Sequence, residues 1–364
     1  MAKKNETPQT MDALRGRIDQ LDAQIQQLIV DRAACAKAIA ECKQQAGDAV
    51  FYRPEREAQI LRKVMERDCG LLRPSDMARV FREIMSSCLA VEQPLAVAYL
   101  GPEGTYTQEA AFKHFGHAVA ASPCASVSDV FRAVETGRVP YGVVPVENSA
   151  EGSVSQTLDM FLQSAVKICG EVELRIRHQL LGTAADLSDI KAVYAHPQAL
   201  AQCREWLDRE LPAADRIAAS SNAEAARLVA QLPAAAAIAS DTAAEIYGLK
   251  ILRGDIEDSA LNTTRFLVLS LRSPPPSGRD KTSLLIATGN QPGALHRALS
   301  PLAKHKISMT RIQSRPSRRG MWDYVFFIDI EGHAEDEAVK EALDEIRPAV
   351  SSVTVLGAYP CAVV

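Results

Sequence analysis

The 364-residue chain carries 41 Lys and Arg against 45 Asp and Glu, for a net charge of −4 and a pI near 6.0. That balance excludes a basic nucleic-acid surface, and no aromatic and basic residues interleave. No apolar run reaches the roughly 20 residues of a membrane span, "MAKKNETPQTMD" lacks a signal-peptide core, and the eight cysteines form no CxxC pair. The expectation is a soluble, cytoplasmic protein of two or three domains with reduced thiols, no metal and no cofactor.

Residues 1–93 read as a wholly helical domain. One helix is predicted from Thr10 to Gln45 and stopped by "AGD"; a second opens at Pro54 and reaches Cys69; a third runs from Pro74 to Glu92. Leu14, Ile18, Leu21, Ile25, Leu28, Ile29 and Ile39 form one apolar stripe, and Arg32 and Lys43 fall inside it. The same construction places Glu57 with Ile60, Leu61 and Val64, with Arg56 at the edge, and places Cys88 and Glu92 with Val80, Phe81, Ile84 and Met85. Two shorter helices cannot cover so long a stripe, so pairing of two chains is the economical solution.

Inward charges can satisfy one another as salt bridges or snorkel at helix ends. Four of them on three helices, each costing several kcal/mol if unmatched, point to a ligand, and the cation excess makes it anionic. Arg32 and Lys43 stand about 16 Å apart along one helix face, a gap that suits a small dianion. Arg15 lies about 25 Å from Arg32, out of reach of the same pocket; it is either a solvated flank arginine or serves the pocket of an antiparallel partner chain. The string "LRxxIDxLDxQIxxLIxxR…K…YRPEREAxIL…FxEIMSxCLxxE" resembles the all-helical chorismate mutases, which are intertwined dimers. The resemblance implies that the partner subunit's Arg15 and Arg32 grip the two carboxylates of chorismate. It implies that Lys43 donates to the ether oxygen and that Glu57 takes the ring hydroxyl with Arg56 beside it. Arg53, Cys88 and Glu92 fall where some relatives carry an acid, a serine and a glutamine. Glu92 must be protonated to donate, and burial favours that.

From Pro94 to residue 272, short apolar runs alternate with helical stretches: "LAVAYLG", "YGVVPVENS", "IKAVYAH", "AAAAIAS", "TTRFLVLSL". This is α/β patterning. Polar clusters follow the strands in "GPEGTYTQEAA", "VPVENSAEGSV" and "AHPQALAQC", and "NTTRF" enters the last one. Each alone is an ordinary cap, turn or strand start; together they mark the carboxyl ends of strands, where open sheets bind ligands. The set resembles the prephenate dehydratases, two-lobed like periplasmic binding proteins with the site between the lobes. The resemblance implies that Thr264 is the essential hydroxyl, acting on the leaving hydroxyl of prephenate. It implies that Glu147, Asn148, Ser149, Gln202, Arg265 and Phe266 line the cleft, with Thr105, Tyr106 and Thr107 adding contacts. Ala195 stands where some relatives carry serine.

"SPPPSGRDK" (273–281) reads as a stiffened linker. Residues 282–364 then alternate strand, helix, strand, strand, helix, strand, the ferredoxin-like order. "GNQPGALHRALSPLAKHKISMTRIQSRP" resembles the ACT regulatory domain. The resemblance implies that Asn290, Gly293, Ala294, Leu295, Ser314 and Arg315 hold phenylalanine between paired ACT domains, and that this inhibits. The whole chain is thus expected to be multidomain α and α/β: a phenylalanine-inhibited bifunctional chorismate mutase–prephenate dehydratase, acting on chorismate and prephenate as a homodimer or larger. The alternative is a non-enzymatic metabolite sensor with a helical dimerisation arm. A sensor requires neither the inward charges nor Thr264.

Overall fold

The computed structural model describes residues 10–47, 52–150, 152–289, 291–316 and 324–363. Three helices come first: α1 (Met11–Gln45), α2 (Pro54–Glu66) and α3 (Pro74–Glu92). The Thr10 hydroxyl caps α1 by accepting from Ala13 N–H at 3.3 Å, and Pro54 and Pro74 occupy first-turn positions where a missing N–H costs nothing. The second helix stops at Glu66, one turn before the predicted Cys69. Within its own chain α1 packs chiefly on α3. Its stripe stays in solvent: Ile18, Ile25 and Leu28 are 56%, 53% and 67% exposed.

The middle domain has two lobes. The first contains β1 (Ala96–Leu100), α4 (Tyr106–Phe115), β2 (Ala120–Cys124), α5 (Val127–Glu135), β3 (Tyr141–Asn148), β4 (Gly152–Ser153), α6 (Ser155–Phe161) and β5 (Lys167–Arg175). The chain then crosses into β6 (Gln179–Gly182), β7 (Ala192–Ala195), α7 (Pro197–Gln202), α8 (Arg204–Glu210), β8 (Asp215–Ala218), α9 (Asn222–Val229), β9 (Ala235–Ala239), α10 (Asp241–Tyr247) and β10 (Lys250–Arg253). It returns as β11 (Thr263–Ser270), which inserts between β3 and β5. The sheets run β2-β1-β3-β11-β5, with β4 on β3, and β10-β6-β9-β7-β8. β9 is alanine-rich and buried throughout, as a central strand covered on both faces requires.

The last domain is β12 (Asp280–Thr288), α11 (Ala294–Lys304), β13 (Met309–Pro316), β14 (Tyr324–Glu331), α12 (Glu337–Ile346) and β15 (Ser352–Pro360), in sheet order β13-β14-β12-β15. Asp280 and Lys281, read as linker, already belong to β12.

All three domains touch. Gly116, at φ +74°, lets α3 close on the middle domain: a Cβ there would lie 2.4 Å from Ser86 Cβ. Ser86 Oγ accepts from Ala118 N–H at 3.3 Å. On the other side β15 lies along β5 so closely that a Cβ on Gly357 would sit 2.1 Å from the Ile168 carbonyl oxygen. Arg62 of α2 donates to the Ser277 and Arg279 carbonyls at 3.1 and 2.7 Å. Beyond β15, Val363 packs on the helical core of Leu61, Ala78 and Met85.

Candidate active sites

In the helical domain, α1 and α3 bring three of the predicted residues together. Burial raises the Glu92 carboxyl above its ordinary range, and Lys43 and then Arg32 oppose that rise with their positive fields. Glu92 Oε2 is buried with no hydrogen-bond partner among the described residues. Cys88 lies one turn earlier on α3 and is buried. Arg15 is far along the exposed arm, its side chain 70% exposed and 3.7 Å from Asp12.

Two expectations are corrected here. Glu57 does not share an interior with Arg32 and Lys43. It faces Arg82 of α3 at 3.6 Å, in a junction with Tyr52, Lys113, His114 and residues 360–363. Burial pushes its carboxyl up to about 7, against the opposing pull of Arg82. The reason is that α2 packs on two neighbours, α3 and β15 of the last domain, and a helical wheel cannot tell them apart. Arg53 likewise turns toward Glu55, at 3.9 Å, and lines a hollow shared with Arg138 and residues 270–275. Arg56 is exposed.

The second site is the cleft between the lobes, a cavity of about 350 Å³. Thr264, the second residue of β11, lies directly opposite Asn148 at the end of β3. Asn148 Nδ2 donates to Thr264 Oγ1 at 2.8 Å and to Asn262 Oδ1 at 2.9 Å. Thr105, Tyr106, Thr107, Gln202 and Phe266 also line this space, and so does His178. No Lys or Arg does. The N-terminal turns of α4 (Thr105–Thr107) and α9 (Ser220–Asn222) border it instead, and their N–H groups suit an anion. His196, beside Ala195, caps α7 by accepting from Gln198 N–H at 3.3 Å.

Three predicted members lie outside the cleft, two of them by strand alternation. Arg265 lies between Thr264 and Phe266, so its side chain leaves by the opposite face. There its Nε donates to Glu171 at 2.8 Å, Nη1 to Asp329 at 2.6 Å and Nη2 to the Tyr359 hydroxyl at 3.0 Å. Glu147, beside Asn148, also faces away, 3.0 Å from Arg311 of β13. Ser149 Oγ is a loop latch, accepting from Thr263 N–H at 3.0 Å and donating to the Leu261 carbonyl at 3.2 Å. Asn262 and His178 were not singled out from sequence. They sit in the two crossings between lobes, where no periodicity marks a residue, although Asn262 opens the "NTTRF" string.

In the last domain Gly293, at φ +75°, turns into α11, with Ala294 buried and Leu295 half-buried at the helix start. Ser314 is exposed on β13. Arg315 is a further correction: it bonds Asp159 and Ser155 of α6 at 2.6 and 2.7 Å, so it is committed to the middle domain. Asn290 lies outside the described residues.

The chorismate mutase type II family model matches residues 14–93, the prephenate dehydratase model 97–274 and the ACT domain model 282–348. A bifunctional chorismate mutase/prephenate dehydratase of Stutzerimonas stutzeri is 53% identical over 97% of this chain and 98% of its own length. The chain belongs to the bifunctional chorismate mutase/prephenate dehydratase family. It is an enzyme with mutase, dehydratase and ACT domains in that order, and the sensor reading is set aside. An L-Phe complex of prephenate dehydratase from Arthrobacter aurescens is 34% identical over 73% of this chain and 90% of its own, with a TM-score of 0.68. GqqA, described as a quorum-quenching acylase, gives the same TM-score at 33% identity, over 73% of this chain and 98% of its own.

Proposed function

We propose that the two reactions of this bifunctional enzyme run at two separate sites, the helical arm and the interlobe cleft. At the first, chorismate rearranges to prephenate around Arg32, Lys43 and Glu92, completed by the partner subunit's Arg15 in a homodimer. The exposed stripe of α1 supports the pairing, because a face of alternating Leu and Ile in water gains by covering itself with a second copy. The rearrangement is pericyclic and needs no nucleophile. Negative charge grows on the breaking ether oxygen, and a fixed donor aimed at such charge is worth about 3–4 kcal/mol. Lys43 supplies one donor. Glu92 supplies another only while protonated, and its raised carboxyl pKa supports that state.

At the second site, the electrons of the departing ring carboxylate enter the ring as CO₂ leaves. The C4 hydroxyl departs with its electron pair, takes up a proton and is lost as water, giving aromatic phenylpyruvate. Thr264 hydrogen-bonds to that leaving hydroxyl, while the N-terminal turns of α4 and α9 hold the carboxylates. Phenylalanine binds the ACT domain at Gly293–Leu295 and Ser314 and inhibits, by favouring a less active arrangement. No described helix is long and apolar enough to cross a membrane, and the reactions belong to the cytoplasm.

The observation that carries this reading is the Thr264 hydroxyl held by Asn148 inside a cleft of substrate size. The test is a coupled assay. Fed chorismate, the protein should release phenylpyruvate, and less of it with phenylalanine present. Thr264→Ala should stop at prephenate with mutase turnover intact. Loss of both activities in that variant would contradict two separate sites.

A further inference from the structure

The cleft contains a chain of side-chain hydrogen bonds whose direction is set by one backbone group. Ala150 N–H donates to Asn148 Oδ1 at 2.9 Å, and a backbone amide has only a proton to offer. Asn148 Nδ2 must therefore be the donor on the other side, and it uses its two protons on Thr264 Oγ1 (2.8 Å) and Asn262 Oδ1 (2.9 Å). Asn262, accepting through Oδ1, presents Nδ2 to Gln202 Oε1 at 2.9 Å. Gln202 Oε1 is then an acceptor, so His178 Nε2, 2.9 Å away, must carry a proton. His178 Nδ1 is left without a proton, and the single proton of the Tyr106 hydroxyl is shared between the Arg177 carbonyl at 2.6 Å and this Nδ1 at 3.0 Å. The tautomer follows from the network. Burial lowers the His178 pKa and keeps the ring neutral, as this arrangement needs.

Two consequences follow for the substrate. Thr264 Oγ1 already accepts a proton from Asn148, so its own proton is directed outward as a donor. Gln202 Oε1 is doubly engaged, while its Nε2 is buried with no hydrogen-bond partner among the described residues. That leaves one oriented amide donor on the cleft wall. Asn262 and His178 are themselves 3% and 2% exposed.

We propose that Asn262 and His178 are positioning residues for the dehydratase reaction. They transmit the sense fixed at Ala150 N–H across both interlobe crossings, so that Thr264 and Gln202 both face the substrate as donors. Thr264 serves the leaving hydroxyl and Gln202 a carboxylate oxygen. The proposal rests on the cleft being the dehydratase site.

Full-length Asn262→Asp is the first test, because aspartate keeps the acceptor for Asn148 and loses the donor to Gln202 at nearly equal size. Dehydratase kcat/KM for prephenate should fall by about 10- to 100-fold, the range set by one unmet buried hydrogen bond, mostly through KM as Gln202 loses its orientation. Mutase turnover of the same chain should be unchanged, and it reports folding. A dehydratase kcat/KM within about twofold of wild type, read against the same bond energy, would overturn the proposal. Should Asn262→Asp lose mutase as well, the pair His178→Gln and His178→Leu decides. Glutamine retains an N–H for Gln202 and should keep most of the activity that leucine loses; equal loss in both overturns it. Thr264→Ala separates the two levels: dehydratase turnover surviving there would sink the site itself, whereas a dead Thr264→Ala beside a normal Asn262→Asp would sink only the relay.

Discussion

Glu57→Gln replaces a carboxyl that burial pushes up to about 7, even with Arg82 at 3.6 Å pulling it down. The reference value for a solvated glutamate is 4.5. Between those two pH values the folded chain keeps a proton that the unfolded chain has released. The stability due to the neutral carboxyl is therefore fully present below the unfolded range and lost as pH rises toward 7. A gap of that size is worth about 3 kcal/mol in full, of which about 2–3 falls between pH 5 and 8. Glutamine mimics the neutral form and does not titrate. Its stability relative to wild type should thus improve by about 2 kcal/mol over that interval. Hydrogen exchange of the α2 and α3 amides measures this, with both proteins compared at each pH so that intrinsic rates cancel. A difference that stays flat with pH refutes the burial argument. Collapse of mutase kcat with unchanged exchange would return Glu57 to the substrate.

Three further expectations concern other sites. In Glu92→Gln the decline of mutase activity as pH rises through the raised Glu92 pKa should flatten, in a pH–rate profile on chorismate. Removing Arg265 as Arg265→Leu leaves Glu171 and Asp329 short of a buried partner and should cost about 3–5 kcal/mol. Thermal unfolding would show that cost, and phenylalanine should lose its grip on dehydratase rate; a stable variant with normal inhibition and no turnover would put Arg265 back in the cleft. In Gly357→Ala the new methyl meets the Ile168 carbonyl oxygen at 2.1 Å, so two backbones must part by about 1 Å, at a cost of about 1–3 kcal/mol or more. Faster proteolysis of residues 273–279 should report the parting, and an unchanged cleavage rate would contradict it.

The bounds of α1 and α3 were legible because Thr10, Gly47, Pro74 and the apolar period mark them chemically. The alternating strands and the βαββαβ order were equally open to reading, whereas the two lobes came only with the resemblance to prephenate dehydratases. Residue roles were less so. Arg265 and Glu147 stand next to true cleft residues in quoted motifs, yet a period of two sends each to the opposite face; that signal was in the sequence and was outweighed by the motif. Glu57 and Arg53 needed the third dimension, since the covering of α2 by a second domain leaves no trace in its own wheel. His178 and Asn262 meet at Gln202, 24 and 60 residues away from them in the chain, a relation only the fold creates.

Val363, seated on Leu61, Ala78 and Met85, makes the first and last modules neighbours without the catalytic middle between them. Clipping the chain ahead of Pro360 would therefore bare part of the mutase core at the far end of the polypeptide. Isolated mutase fragments from this protein should be stickier and less stable than their helices alone suggest.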